Sequence, residues 1–169
     1  MTEVGGPETV EVPGLGMFER VVRRSSGGAV GGPYRAIEWA SWEASVQWRG
    51  LEVAVRCEED ETPVTSADLV AAGGRVLAFL EREEGARCEV AAAMLGLAQD
   101  WWYSGDRGVD EPPLTLDVFQ GLMRLDAIVI EQDGGLSAYY DDNEEVFAGH
   151  AIQASFDADG TLTDTDIPG

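Results

Sequence analysis

The feature that most constrains this chain is the alternation of side chains through its last third, Leu125 to Gly169. A period of two buries one side of a strand and wets the other. Here the pattern is broken at Gly134-Gly135, at the acidic segment Asp141 to Glu145 and at Asp159-Gly160. The stretch therefore reads as strand, turn, strand, acidic loop, strand, turn, strand. A two-residue turn around Asp133 to Gly135 puts Ile128, Ile130 and Tyr139 on one face and Val129, Ala138 and Tyr140 on the other. His150, Ile152, Ala154 and Phe156 share an apolar side that is expected to pack inward. Pairing across Asp159-Gly160 adds Thr163, Thr165 and Ile167 to that side and leaves Leu162, Asp164 and Asp166 opposite.

Charge is the second constraint. Eleven carboxylates and no Lys or Arg follow Arg124, and the whole chain sets 32 acids against 11 bases, all Arg, for a formal charge of −21. Such a field repels phosphate and anionic lipid, so neither nucleic acid nor a membrane surface is an expected partner. It favours a basic protein partner or divalent cations, and it also provides solubility. No apolar run approaches the ~20 residues that span a bilayer. The N-terminus lacks the basic start and apolar run of a secretion signal. Cys57 and Cys88 lack metal or redox spacing and read as reduced thiols, which points to the cytoplasm. Abundant Arg, Gly and Ala without Lys also suit a GC-rich bacterial coding bias.

At 169 residues the chain is expected to form a flexible arm over residues 1–16 and one α+β domain over 17–169. Met17 to Arg24 suits a strand, and Ser25 to Pro33, with four glycines, a loop. Tyr34 to Ala44 is compatible with strand or helix. Ser45–Trp48 and Leu51–Cys57 flank an Arg49-Gly50 hairpin turn, with Leu51, Val53, Val55 and Cys57 on one face. A helix starts at Thr65 or Ser66, served by Asp68, and Gly85 is a natural stop. A second helix over Cys88 to Trp102 then makes an antiparallel pair with it. Ser104 to Pro113 is a polar loop, and Thr115 caps a short third helix with Leu114 and Phe119 placed as a hydrophobic staple. The expected fold is an antiparallel sheet of about five to seven strands with the helical pair and the short helix on one face.

The run Phe147-Ala148-Gly149-His150-Ala151-Ile152, between an acidic segment and Asp157-Ala158-Asp159-Gly160, resembles the end of an uncharacterised bacterial family, Domain of Unknown Function 2262. Ala148 stands where that family's pattern has Trp, and Ala151 where it has Ser. The likeness covers the last third of the chain and, loosely, the two-helix region; it implies an α+β bacterial cytosolic protein and brings no activity.

Candidate chemistry is sparse. His150 is the one histidine, so a histidine-based hydrolase would use it with Asp141 and Asp142; the bland alternative is a histidine that holds a loop. Ser155 to Asp166 partly fits a calcium loop through Asp157, Asp159 and Asp166. It starts with Ser, ends with Asp and is flanked by strands, and Asp-Ala-Asp-Gly also makes an ordinary hairpin turn. Trp101-Trp102-Tyr103 suits the core end of a helix. No cofactor motif is present. The leading expectation is a non-enzymatic acidic interaction module, in concrete form an immunity-type inhibitor of a basic toxin, contacting its partner through Asp141, Asp142, Glu144, Glu145, Asp164 and Asp166. The alternative is a carboxylate/His-based hydrolase or a divalent-cation-binding protein.

Overall fold

The structure, a computed structural model, describes residues 8–27, 35–59, 62–104 and 112–168. In chain order its elements are β1 (Thr9–Val12), β2 (Gly16–Gly27), β3 (Arg35–Trp48), β4 (Leu51–Glu59), α1 (Ser66–Ser104), α2 (Leu116–Leu122), β5 (Arg124–Ile130), β6 (Leu136–Asp141), β7 (Ile152–Phe156) and β8 (Leu162–Asp166). The eight strands form one sheet in sequence order. Two four-strand antiparallel meanders, β1–β4 and β5–β8, join through a parallel β4–β5 pair in which Val55 lies opposite Ile128. Parallel neighbours need a crossover, and α1 with α2 supplies it. The fold is α+β as expected, but the sheet is larger than five to seven strands and mixed.

The expected helical pair is a single helix of 39 residues, about 58 Å long at ~1.5 Å per residue. Its start matches the sequence reading. Thr65 Oγ1 accepts from the Asp68 backbone N–H (3.2 Å), and Asp68 Oδ2 accepts from the Thr65 N–H (2.9 Å), a reciprocal cap. Gly85 does not end the helix, because Phe79, Glu83, Ala86, Val90 and Met94 keep a buried stripe running past it. Packing outweighs the ~1 kcal/mol that a helical glycine costs. The charged run Glu81 to Glu84 hides this, since Glu83 is the buried member. Gly73 is a close-approach site: a Cβ there would lie 2.3 Å from Val12 Cγ1 of β1. The helix also reaches the opposite end of the sheet, where the Arg82 guanidinium donates to the Gly160 carbonyl in the β7–β8 turn. Both sheet edges thus meet α1, and the sheet curls over it.

The stretch expected as a loose arm holds β1, whose Val12 and the following Leu15 are in the core. Burying such side chains contributes about 1.5–3 kcal/mol each, which explains the order of a segment that shows no periodicity. Tyr34 to Ala44 resolves as strand from Arg35 onward, and Arg49 (φ 46°) and Gly50 (φ 80°) form the expected hairpin turn. Residues 28–34 and 105–111, where two loops were expected, lie outside the described residues. Thr115 caps α2, accepting from the Val118 N–H at 3.4 Å, and Leu114 and Phe119 are both buried.

One expected face assignment is inverted. The β5–β6 connection is a five-residue loop, with Ile130 opposite Leu136 and the Gly134 N–H donating to Glu131 O. An odd loop flips parity relative to a two-residue turn. Ile128, Ile130, Leu136, Ala138 and Tyr140 therefore face the helices, and Val129, Ser137 and Tyr139 face away. Gly135 is required where β6 begins: a Cβ there would lie 2.6 Å from the Phe156 carbonyl oxygen. A second irregularity, at Ser155/Phe156, pairs Leu162 with Phe156 and makes it half-buried on the inner side, against expectation.

Candidate functional site

The side of the sheet away from α1 carries the polar strand positions. In register across its centre run Glu43, Arg56, Val129, Ser137, Ser155 and Asp164. A shallow depression of about 520 Å³ lies over β5–β8, lined among others by Glu58, Glu131, Ser137, Gln153 and Asp157. A second, of about 430 Å³, has Arg56, Asp126, Val129 and Tyr139 in its walls. Small residues at Ala54, Ala127 and Ser155 keep the floor low. Ser137 is buried and donates to Glu131 Oε1 at 2.7 Å. Asp164 and Asp166 are exposed, and their partners across the β7–β8 ladder are Ser155 and Gln153. Their outward placement matches the alternation in the sequence.

Among the described side chains of this face, Arg23 and Arg56 are already engaged. Arg23 grips Glu43 with both terminal nitrogens, Nη2 to Oε2 at 3.0 Å, and Arg56 Nε is 3.3 Å from Glu43 Oε1. The Arg23 hydrogen bonds, with help from Ser41, hold the Glu43 carboxyl down at about 2. A depressed carboxyl contributes stability that is complete above its unfolded pKa of ~4.3 and lost as pH falls through the folded value. After allowance for its partial exposure, Glu43→Gln should lower stability by about 1–2 kcal/mol at neutral pH. Urea melts should show the gap closing between about pH 4.5 and pH 2.

The acidic loop divides into different roles. Asp141 is exposed and accepts from the Asn143 N–H at 2.8 Å. Asp142 is fully buried, and its Oδ2 accepts from the N–H groups of Val146 (2.9 Å) and Phe147 (2.8 Å), while Oδ1 is buried without a partner. It is a clamp on the loop and has no surface to offer an incoming molecule, which removes it from the expected interaction set. Glu144 and Glu145 are exposed. Asn143, Glu144 and Ala148 all hold positive φ (58°, 62° and 52°), uncommon for residues with a Cβ and stored strain that the buried neighbours Val146 and Phe147 offset.

His150 is not under the sheet as its strand parity suggested. It precedes β7, is exposed, and stands edge-on to Trp101 with ring centroids 6.0 Å apart. No hydrogen bond or ion pair joins it to Asp141 or Asp142, whose oxygens accept from backbone N–H groups of the acidic loop. In the would-be calcium loop, Asp157 Oδ1 accepts from the N–H groups of Asp159 (3.0 Å) and Thr161 (2.8 Å), and Asp166 Oδ1 accepts from the Ile167 N–H. Asp157 thus acts as the turn residue. Among the described residues, no three His, Cys, Asp or Glu side chains converge as a metal site would need. Trp101 packs against Phe147 (5.5 Å) at the helix end, although Tyr103 projects into solvent. No helix is long and apolar enough to cross a membrane among the described residues.

Comparison with known families matches residues 36–167 to uncharacterized proteins conserved in bacteria, DUF2262. The chain belongs to the DUF2262 family. The match takes in the central sheet, both helices and the C-terminal hairpins, so it extends well beyond the last third in which the sequence showed a resemblance. No curated protein and no solved structure matches this DUF2262 chain.

What sequence reasoning missed is a group of arginines. Arg49, Arg87 and Arg124 come from the β3–β4 turn, the middle of α1 and the start of β5, and line one pocket together. Nothing in their spacing signals it.

Proposed function

We propose that this DUF2262 protein is a non-enzymatic acidic interaction module, an immunity-type inhibitor whose open sheet face covers a basic toxin. The observation that carries the reading is the one-sided layering of the fold. The helices cover one face, while the other presents Glu58, Asp126, Glu131, Asp164 and Asp166 around a low uncharged floor of Val129, Ser137 and Tyr139. Strands β6–β8 contain no base, and Arg23 of β2 and Arg56 of β4 on this face both pair with Glu43. A surface of this kind attracts cationic side chains over a long range and speeds encounter. Its uncharged centre offers Tyr139 and Ser137 to the aliphatic stem and donors of a partner's Arg or Lys.

The test is co-purification from the native host followed by tandem mass spectrometry, then association kinetics with the captured partner across a salt series. The on-rate should drop steeply as salt rises. The variant Glu58→Gln/Glu131→Gln/Asp164→Asn/Asp166→Asn should associate about tenfold or more slowly, with a flatter salt dependence. Amide substitutions at the exposed helix residues Glu81, Glu89 and Asp100 should leave the rate near wild type. A protein that captures no basic partner, or two variants that behave alike, would overturn the proposal.

A further inference from the structure

The pocket of about 250 Å³ at the junction of the β3–β4 turn, mid-α1 and the α2–β5 connection has a character opposite to the rest of the molecule. Three of the chain's eleven bases line it, Arg49, Arg87 and Arg124, against one lining carboxyl, Glu83. In a molecule of formal charge −21 such a concentration of guanidinium groups works against the overall field.

The three arginines are held differently. Arg87 is fixed: its Nη1 donates to the carbonyls of Gln120 (3.1 Å) and Met123 (3.2 Å) at the end of α2. Its Nε lies 3.1 Å from Glu83 Oε1, an ion pair one turn apart on α1. Arg49 stacks over the Trp48 ring at 4.9 Å and reaches Glu84 at the rim only at 3.7 Å. Arg124 is exposed and has no hydrogen bond or ion pair among the described residues. Trp48, Leu51, Met123 and Leu125 supply apolar wall. Burial pushes the Glu83 carboxyl up, against the pull of Arg87 and Arg49.

We propose that this pocket binds a small organic anion, its oxyanion end on Arg49, Arg87 and Arg124 and a short apolar body against Trp48 and Met123. Planar guanidinium forks match the geometry of carboxylate and phosphate oxygens. Arg87 is preorganised by its carbonyl bonds, while Arg49 and Arg124 close from the rim. The site is separate from the acidic sheet face and does not depend on its role.

The experiment is a thermal-shift and calorimetric titration of the full chain with sodium benzoate, phenyl phosphate and inorganic phosphate. At about ten times the dissociation constant, an occupied site should raise Tm by roughly 3–6 °C. A response to benzoate alone assigns a carboxylate, and one to phenyl phosphate assigns a phosphate ester. The double variant Arg49→Gln/Arg124→Gln changes only exposed side chains and should abolish the response. Arg24→Gln, at the exposed Arg24–Glu38 pair, should keep it. Absence of any response at about 20 mM probe overturns the proposal, as does an unchanged response in the double variant. A response to inorganic phosphate equal to that for phenyl phosphate removes the role given to the apolar walls.

Discussion

Asp142→Ala should be among the most damaging single changes in the acidic loop, lowering stability by about 2–4 kcal/mol and Tm by roughly 5–15 °C. The substitution removes the oxygen that accepts from the Val146 and Phe147 N–H groups and leaves both donors buried. It also releases a turn in which Asn143, Glu144 and Ala148 are held at positive φ. Asp142→Asn keeps an acceptor oxygen in place and should retain most of the stability. Chemical denaturation of both variants separates two roles. A clamp predicts a large loss for Ala and a small one for Asn, whereas a contact residue acting through charge would leave both folded and both defective in partner association. Equal stability of wild type and the Ala variant would refute the clamp.

The second large effect runs the other way. Gly74, Gly85 and Gly96 are exposed along α1, and a Cβ at any of them would meet nothing within 4 Å. A helical Gly costs about 0.8–1 kcal/mol relative to Ala. The triple variant Gly74→Ala/Gly85→Ala/Gly96→Ala should therefore be more stable by about 2–3 kcal/mol. Gly73→Ala, one residue from the first of them, should be destabilising. Its Cβ would lie 2.3 Å from Val12 Cγ1, and overpacking of about 1–3 kcal/mol exceeds the propensity gained. Urea titrations of the two variants give opposite signs if α1 is one continuous helix with β1 packed at Gly73. Two helices with Gly85 as the terminator between them would instead lose stability in the triple variant.

The parts of the fold legible in the sequence were those set by neighbours in the chain. The Thr65–Asp68 cap, the Arg49-Gly50 turn, the Thr115 cap and the outward Asp164 and Asp166 depend on local chemistry or on a period of two. The illegible parts depend on residues far apart. Gly85 carries the same local signal whether or not packing continues beyond it, and only the buried Glu83 and Ala86 decide. The β5–β6 loop contains the glycines expected of a tight turn, yet three further residues in it invert the faces of β6 relative to β5. Asp141 and Asp142 are identical in type and adjacent, and the sequence cannot tell which is the clamp. His150 satisfied the strand pattern, but β7 starts two residues later. The three arginines of the small pocket come from three elements and meet only through the crossover.

The single parallel pairing between β4 and β5 has a consequence for how the molecule assembles. Each meander can zip up through hairpins between adjacent segments, whereas Val55 finds Ile128 only after the whole intervening helix has been laid across the hollow. Closing so long a span is entropically expensive and late. The seam is thus the step at which two locally competent halves become one cooperative body, and the place where they would first part company under load.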